Sequence, residues 1–207
     1  MRKRSIAVTA CLVCLLCGSV AYAATRNGTD RADTIFGTTR DDRINARGGF
    51  DIVFGLSGDD VIRGGSGGDS IQADASCPAR SRNPDDCNQM RGSGDDRVEG
   101  NAGDDAIAGG RGNDEISGGS GADNIQGGHG RDVIDGGTGE DTIFGGTSND
   151  RITGGRGRDE ILAGTGNDRI YARDGVRDRI DCGPGRDTVF ADRRDRVARN
   201  CERVSRR

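Results

Sequence analysis

The chain has 207 residues, of which only 31% are hydrophobic, with no tryptophan and 37 glycines. This composition excludes a conventional apolar core of domain size. A disordered glycine-rich linker has a similar composition, so the question is whether the glycines follow a regular order. The formal net charge is −4. An acidic balance argues against nucleic acid as a partner and favours a bound cation.

Residues 1–23 have the features of a secretory signal peptide. A basic start, "MRKR", precedes the apolar run "IAVTACLVCLLCGSV" and the small-residue cleavage site "AYA", which ends at Ala23. The apolar run is short for a membrane span, and no second one follows it. We therefore expect a mature chain without a membrane span that is secreted to the extracellular space.

Beyond the signal peptide, a nine-residue period runs from Gly28 to the frame that begins at Ala163. Of sixteen frames, fourteen have aspartate at the sixth place and isoleucine or valine at the eighth. A disordered linker would not keep this phase. The sixth-place residues are Asp33, Asp42, Asp51, Asp60, Asp69, Asp96, Asp105, Asp114, Asp123, Asp132, Asp141, Asp150, Asp159 and Asp168.

Units such as "GGRGNDEIS", "GGSGADNIQ", "GGHGRDVID" and "GGTGEDTIF" carry this period. They resemble the GGxGxDxUx nonapeptide of RTX, or haemolysin-type, calcium-binding repeats, over roughly residues 27–170. The resemblance implies an all-β, right-handed parallel β-roll with two nonapeptides per coil. In such a roll a six-residue turn alternates with a three-residue strand, and multiple Ca²⁺ ions lie between the turns of neighbouring coils.

The residue types suit that chemistry. Glycines at the first, second and fourth places allow a positive φ and inward-facing carbonyls, and carboxylates and carbonyls are the hard oxygen ligands of Ca²⁺. We expect the aspartates to form two ladders from alternate nonapeptides, with the highest occupancy between Gly109 and Asp159. The carbonyls expected to assist are those of Gly109, Gly112, Gly118, Gly121, Gly127, Gly130, Gly136, Gly139, Gly154 and Gly157.

Several frames depart from the glycine pattern. In the first two frames, glycine places hold Thr29, Arg31, Thr38 and Arg40. We expect weak or absent calcium at Asp33 and Asp42, with these turns forming an N-terminal cap. Ala46 and Arg47 weaken the third frame, and Ser148 interrupts the strongest run.

Four cysteines remain after the signal peptide, an even number that favours disulfides in an exported chain. Three pairings are possible, and we predict the nearest-neighbour one, Cys77–Cys87 with Cys182–Cys201.

Residues 73–90 break the motif but fill two frames. We therefore expect one coil, within residues 72–90, to be extruded as a loop, either as a tolerated insertion or as a recognition loop.

Residues 171–207 contain 11 arginines and 7 acidic residues. They keep an acid-x-apolar spacing after the glycines thin out. This pattern predicts further strands that close the end of the roll, clamped by Cys182–Cys201, because a solenoid needs a cap against end-to-end stacking. Alternatively, or in addition, the arginines bind an anionic cell-surface or matrix polymer.

The sequence contains little evidence for a catalytic site. His129 is the only histidine and occupies a variable turn place, so no nucleophile–base pair is evident. We expect a non-enzymatic, secreted calcium-binding protein with a structural or surface role that folds on binding calcium. The alternative is a calcium-dependent extracellular enzyme or accessory module acting on a polysaccharide, although the roll begins so near the cleavage site that we expect no room for a catalytic domain.

An adhesin or ice-binding solenoid is a third possibility. It would need a regular row of outward residues. The outward places are mixed instead: Glu115, Asn124, Val133, Thr142, Arg151 and Glu160.

Overall fold

A computed structural model describes residues 24–74 and 93–207 as a parallel β-solenoid. Odd-numbered strands form a ten-stranded sheet: β1 (Thr25–Asn27), β3 (Arg43–Gly48), β5 (Val61–Ser66), β7 (Arg97–Ala102), β9 (Glu115–Ser120), β11 (Val133–Thr138), β13 (Arg151–Arg156), β15 (Arg169–Ala172), β17 (Thr188–Ala191) and β19 (Arg203–Arg206). Even-numbered strands form a nine-stranded sheet: β2 (Thr34–Phe36), β4 (Ile52–Phe54), β6 (Ser70–Gln72), β8 (Ala106–Arg111), β10 (Asn124–His129), β12 (Thr142–Thr147), β14 (Glu160–Thr165), β16 (Arg179–Asp181) and β18 (Arg196–Val197).

The sheet order confirms the roll with two nonapeptides per coil. Consecutive strands alternate between the sheets, and each strand pairs in parallel with the strand two along the chain; Ile125, for example, pairs with Ile143. The solenoid extends beyond the nonapeptide repeats, because residues 171–207 contribute the predicted further strands to both sheets. The described residues contain no helix, and hence none that could span a membrane.

The core consists of two columns of branched aliphatic side chains, one from each sheet. Each nonapeptide contributes its eighth residue, successive nonapeptides alternate between the two columns, and side chains such as Ile62, Ile125 and Ile161 are fully buried. Small residues fill the remaining inward places, among them Ala46 and Ala163. Because β-branched residues pack well on a pleated surface, the columns suit a parallel sheet, but they form a thin core.

The strands are longer than expected. Most repeat strands have six residues instead of three, because each continues through the first three places of the next nonapeptide. Positive φ occurs at the second and fourth places, as in Gly119 (117°) and Gly121 (132°), but not at the first. The prediction of a positive φ for the first place was therefore wrong, and that place needs glycine for a different reason, given below.

The two sheets have different outer surfaces. Between β3 and β13 the outward places of the ten-stranded sheet include arginine and acidic side chains such as Arg97, Glu115 and Asp135. Between β2 and β12 the outward seventh and ninth places of the nine-stranded sheet carry no charged residue: Thr34, Phe36, Ile52, Phe54, Ser70, Gln72, Ala106, Ala108, Asn124, Gln126, Thr142 and Phe144.

The motif break interrupts the chain but not the stack. Strand β5 pairs with β7 and β6 with β8, in pairings such as Ile62 with Val98, so the sequence offset rises from one coil to two. The sequence between β6 and β7 is longer than the other connections by one coil's length of chain. Most of that segment, and with it the predicted Cys77–Cys87 disulfide, lies outside the described residues.

The C-terminal end carries the other predicted disulfide. Cys182 and Cys201 are bonded, with Cα atoms 5.3 Å apart, which confirms this pairing. Cys182 directly follows β16 and Cys201 precedes β19. The bond therefore joins the last coils of the solenoid.

Candidate metal centre

The sixth-place carboxylates form two continuous ladders along the solenoid. In each step the backbone N–H of one aspartate donates to a carboxylate oxygen one coil further on, which is Oδ1 of an aspartate, as from Asp123 to Asp141 at 2.9 Å, except in the last step, from Asp187 to Oε2 of Glu202. The first ladder contains Asp33, Asp51, Asp69, Asp105, Asp123, Asp141, Asp159, Asp178 and Asp195. The second contains Asp42, Asp60, Asp96, Asp114, Asp132, Asp150, Asp168, Asp187 and Glu202. The predicted order of both ladders is confirmed.

The second oxygen of most ladder carboxylates has no hydrogen-bond donor among the described residues. The side chains are almost completely buried, Asp132 being 1% exposed. A buried carboxylate oxygen without a donor is costly and calls for a partner, which in such a site is commonly an ion. These Oδ2 atoms belong to Asp51, Asp60, Asp69, Asp96, Asp105, Asp114, Asp123, Asp132, Asp141, Asp150, Asp159, Asp168, Asp178 and Asp187.

The first-place glycines leave room for these oxygens. A Cβ on Gly118 would lie 2.3 Å from Oδ2 of Asp123 and 2.6 Å from the carbonyl oxygen of Gly136. Both distances are too short for a Cβ at Gly118, so glycine is favoured there for space and not for φ, although the first places of other frames accommodate Ala46 and Ala163. Beside most of these glycines, Oδ2 of the sixth-place aspartate of the same nonapeptide and a carbonyl oxygen of the next coil thus face the same small volume.

The predicted carbonyl ligands fall into two groups. The first-place carbonyls of Gly118, Gly127, Gly136 and Gly154 approach this volume from the next coil, although that of Gly109 accepts the N–H of Asp74 at 3.0 Å. The fourth-place carbonyls accept no hydrogen bond from the described residues, and those of Gly112, Gly121 and Gly139 point toward the equivalent glycine of the next coil; the others are those of Gly130 and Gly157.

Comparison with known families supports an ion-binding role for these carboxylates and carbonyls. The family model of the RTX calcium-binding nonapeptide repeat (4 copies) matches residues 27–62, 36–71, 92–116, 109–143, 117–152 and 144–176, together more than half of the chain. The chain belongs to the RTX calcium-binding repeat family. RTX repeats in a β-roll imply that the protein binds Ca²⁺. No curated protein matched the chain.

The oxygens at the RTX turns fit Ca²⁺, which prefers six to eight hard oxygen ligands. Among residues 24–74 and 93–207, no three His, Cys, Asp or Glu side chains converge on one point. Each turn instead offers carboxylate oxygens together with backbone carbonyls. Calcium bound there would supply the positive charge that the buried Oδ2 atoms lack, while the chain supplies the fixed positions of those oxygens.

The burial of these carboxylates changes their acidity. Desolvation, reinforced by neighbouring carboxylates such as Asp60, raises the pKa of Asp96 to about 8. Desolvation likewise raises the pKa of Asp105 and Asp114 to about 7. The backbone hydrogen bond to each Oδ1 acts in the opposite direction but is the smaller effect. Without a cation, ionising these carboxylates in the folded roll is therefore unfavourable near neutral pH.

The first two RTX frames satisfy their carboxylates internally. Oδ2 of Asp33 accepts the N–H of Thr29 at 2.6 Å and its hydroxyl at 2.8 Å. Oδ2 of Asp42 accepts the N–H of Thr38, and its Oδ1 accepts the Thr38 hydroxyl at 3.1 Å. Because threonine replaces glycine at the second place, protein donors occupy the oxygens that are free elsewhere. These contacts give a physical reason for the weak or absent calcium binding predicted at Asp33 and Asp42.

The ladders also extend beyond the predicted ligands. Asp178 and Asp187 accept the backbone N–H groups of Asp159 and Asp168 through Oδ1, and their own Oδ2 atoms are buried without donors. Sequence reasoning did not count them as ligands because the spacing here is 19 residues. The acid-x-apolar spacing of Asp178 with Ile180, and of Asp187 with Val189, was the available signal.

Proposed function

We propose that this chain is an exported, non-enzymatic RTX protein that folds when several Ca²⁺ ions bind between its coils, and that it has a structural or surface role. The observation that carries the proposal is the set of buried Oδ2 atoms without donors, which begins at Asp51 and ends at Asp187. A fold with so many buried, unpartnered acceptors requires a counter-ion to be stable at neutral pH.

The folding mechanism follows from the ladders. In the absence of calcium, ionised carboxylates of neighbouring coils, such as Asp132 and Asp150, repel each other in a desolvated row. Calcium replaces that repulsion by attraction and so stabilises only the coiled state. Extracellular calcium modules have dissociation constants of roughly 10⁻⁴–10⁻³ M. A chain with such sites would stay unfolded in a calcium-poor cytoplasm and fold after export.

The absence of an enzymatic role is part of the proposal. Its support is the lack of a nucleophile–base pair in the sequence and the position of His129, an exposed side chain whose Nδ1 lies 2.9 Å from the Thr147 hydroxyl. The alternative is an accessory module of a calcium-dependent, polysaccharide-acting enzyme. Such a module would share the calcium-dependent fold.

The deciding experiment is far-ultraviolet circular dichroism of residues 24–207 in EDTA, then with calcium or magnesium added to about 10 mM, which exceeds the expected dissociation constants. We expect a cooperative coil-to-β transition with calcium and none with magnesium. A chain that is already β-rich in EDTA would show that calcium is not the folding switch. A chain disordered in calcium would contradict the fold itself.

A further inference from the structure

The outer surface of the ten-stranded sheet becomes strongly basic near its C-terminal end. Between β13 and β19 its outward seventh-place residues are Arg151, Arg169, Thr188 and Arg203, in direct register with one another. The outward ninth-place residues are Thr153, Tyr171, Phe190 and Ser205. We call these side chains, together with Arg173, the basic face. It contains no acidic side chain.

The arginines of the basic face lack the counter-ions found elsewhere on the same sheet. Toward the N-terminus, Arg97 forms an ion pair with Glu115 at 2.6 Å, and Arg63 forms one with Glu99 at 3.0 Å. Within the described residues, no carboxylate lies within ion-pair distance of Arg151 or Arg169, which are direct neighbours on paired strands. Like charges at paired positions destabilise a sheet. Their repulsion is relieved when an anion binds.

The aromatic residues hold the guanidinium groups in place. The rings of Tyr171 and Phe190 stack with their centroids 5.0 Å apart. The Arg151 guanidinium lies 4.6 Å from the Tyr171 centroid, and Nη1 donates to the phenol oxygen at 3.3 Å. The Arg173 guanidinium lies 5.3 Å from the Phe190 centroid and donates to Ser205. These contacts fix the charged groups before any ligand arrives, which lowers the entropic cost of binding.

A shallow depression lies within this face. It has a volume of about 420 Å³ and is lined by Thr153, Gly155, Tyr171, Arg173 and Phe190. Because Gly155 has no side chain, the space beside the ring pair stays open. The depression combines hydroxyl groups, ring edges and a guanidinium, which together suit a polar ring with an acidic substituent.

We propose that the basic face binds an acidic polysaccharide, whose carboxylates or sulfates pair with Arg151, Arg169 and Arg203. The proposal deepens the proposed surface role and rests on it, because the strands that align these arginines belong to the calcium-folded roll. Four strands at about 4.8 Å spacing make the face roughly 14 Å long, enough for several sugar units of an extended chain. Guanidinium groups form paired hydrogen bonds with carboxylates and sulfates, which gives selectivity over neutral sugars.

Nucleic acid is the less favoured polyanion. Proteins that bind single strands present aromatic faces on which bases stack. Here the rings of Tyr171 and Phe190 already contact each other and the guanidiniums of Arg151 and Arg173. The acidic balance of the whole chain also opposes a long polyphosphate.

Binding of a hyaluronan decasaccharide to the calcium-loaded protein, measured by calorimetry, tests the proposal. We expect saturable binding that weakens with salt and is absent for a neutral dextran oligosaccharide. The double substitution Arg151→Ser/Arg169→Ser should weaken binding on the order of tenfold or more, the effect of losing about one charge-assisted contact. The matched control Arg43→Ser/Arg63→Ser removes the same charge from the other end of the same sheet and should leave the affinity unchanged.

Circular dichroism in calcium distinguishes a failure of the polysaccharide proposal from a failure of the proposed calcium-dependent folding. If all variants fold with calcium and hyaluronan does not bind, or both double variants lose affinity equally, the basic face is not a polysaccharide site, although the calcium-folded roll stands. Tighter binding of a single-stranded oligothymidylate than of hyaluronan would overturn the choice of ligand. Failure of the unsubstituted protein to fold with calcium would instead contradict the proposed function.

Discussion

The backbone N–H of Asp132 donates a hydrogen bond to Oδ1 of Asp150, 3.0 Å away and one coil further along the chain. The two oxygens of the Asp150 carboxylate therefore have different roles. Oδ1 helps to join the coils, while Oδ2 is buried without a donor among the described residues. An asparagine can preserve the first role but not the second, so the two contributions can be separated by substitution.

Asp132→Asn should reduce calcium-dependent stability while preserving the stacking bond. The amide oxygen can still accept the N–H of Asp114, but an NH₂ group replaces the free oxygen. Loss of one site costs about 2.7 kcal/mol when calcium exceeds its dissociation constant a hundredfold. The measurement is the calcium midpoint of the folding transition, which should rise. Asp33→Asn is the matched control, because Thr29 already occupies the corresponding oxygen, and equal midpoint shifts in both variants would contradict the assignment.

Asp178→Asn tests whether calcium binding continues past the region matched by the RTX family model. Its Oδ2 is buried and unpartnered like those of the repeats, so the substitution should lower the number of bound calcium ions. The stoichiometry is measured by calorimetry or by metal analysis after dialysis. Asp195→Asn provides the comparison, because Oδ2 of Asp195 already accepts the N–H of Asp192 at 2.5 Å. An unchanged stoichiometry in the Asp178 variant would restrict the sites to the nonapeptides.

The metal-free roll should be more stable in acid than at neutral pH. Folding raises the pKa of Asp96 to about 8 and those of Asp60 and Asp150 to about 7, from an ordinary value of 3.8, chiefly through desolvation. The folded state therefore binds protons more tightly than the unfolded chain. Stability in EDTA should be fully present below about pH 3.8 and lost as the pH rises through 6 to 8.

With calcium the pH trend should reverse, because protons and calcium compete for the same oxygens. Thermal unfolding across this pH range, in EDTA and in excess calcium, gives both trends. Parallel pH profiles with and without calcium would show that the ladder carboxylates do not hold the metal.

Ser148→Gly should stabilise the folded protein. Ser148 occupies a fourth place with φ of 87°, a conformation that costs a non-glycine residue about 1 kcal/mol. For a domain of this size the gain corresponds to a rise in melting temperature of roughly 2–4 °C. Ser120→Gly is the control, since Ser120 does not have a positive φ and ends strand β9. Stabilisation by both substitutions, or by neither, would mean that backbone strain at Ser148 is not the cause.

Replacing Cys182 and Cys201 by alanine should destabilise the C-terminal coils. The disulfide closes a loop with a sequence separation of 19 residues, and loops of that size contribute about 3 kcal/mol by restricting the unfolded chain. Hydrogen exchange in calcium should show faster exchange in β17–β19 than in β9–β11. Uniform exchange along the solenoid in the variant would show that the bond does not act locally as a cap.

The sequence alone predicts the repeat phase and the two ladders because each depends on a nine-residue count. Contacts made by exceptions to the motif are not predictable in this way. The hydrogen bonds of Thr29 and Thr38 depend on the backbone path of their turns, and the ladder positions of Asp178 and Asp187 depend on a one-residue change in spacing.

The distribution of charged residues between the two sheets is the other feature that the linear sequence does not show. The outward residues looked mixed because consecutive nonapeptides belong to opposite sheets. Once sorted by sheet, Glu115, Val133 and Arg151 lie on the charged sheet, whereas Asn124 and Thr142 lie on the uncharged part of the other. The basic face could be recognised only after this sorting.

The pairing of Ile62 with Val98, across twice the usual sequence offset, has an evolutionary consequence. Both ladders stay in phase across this doubled offset, so the molecule can lengthen or shorten in steps of two nonapeptides without disturbing anything downstream. A gain or loss of a single nonapeptide would be different, because every later strand would move to the opposite sheet. The parity of the repeat number, and not the number itself, is what selection on the surfaces of this protein would preserve.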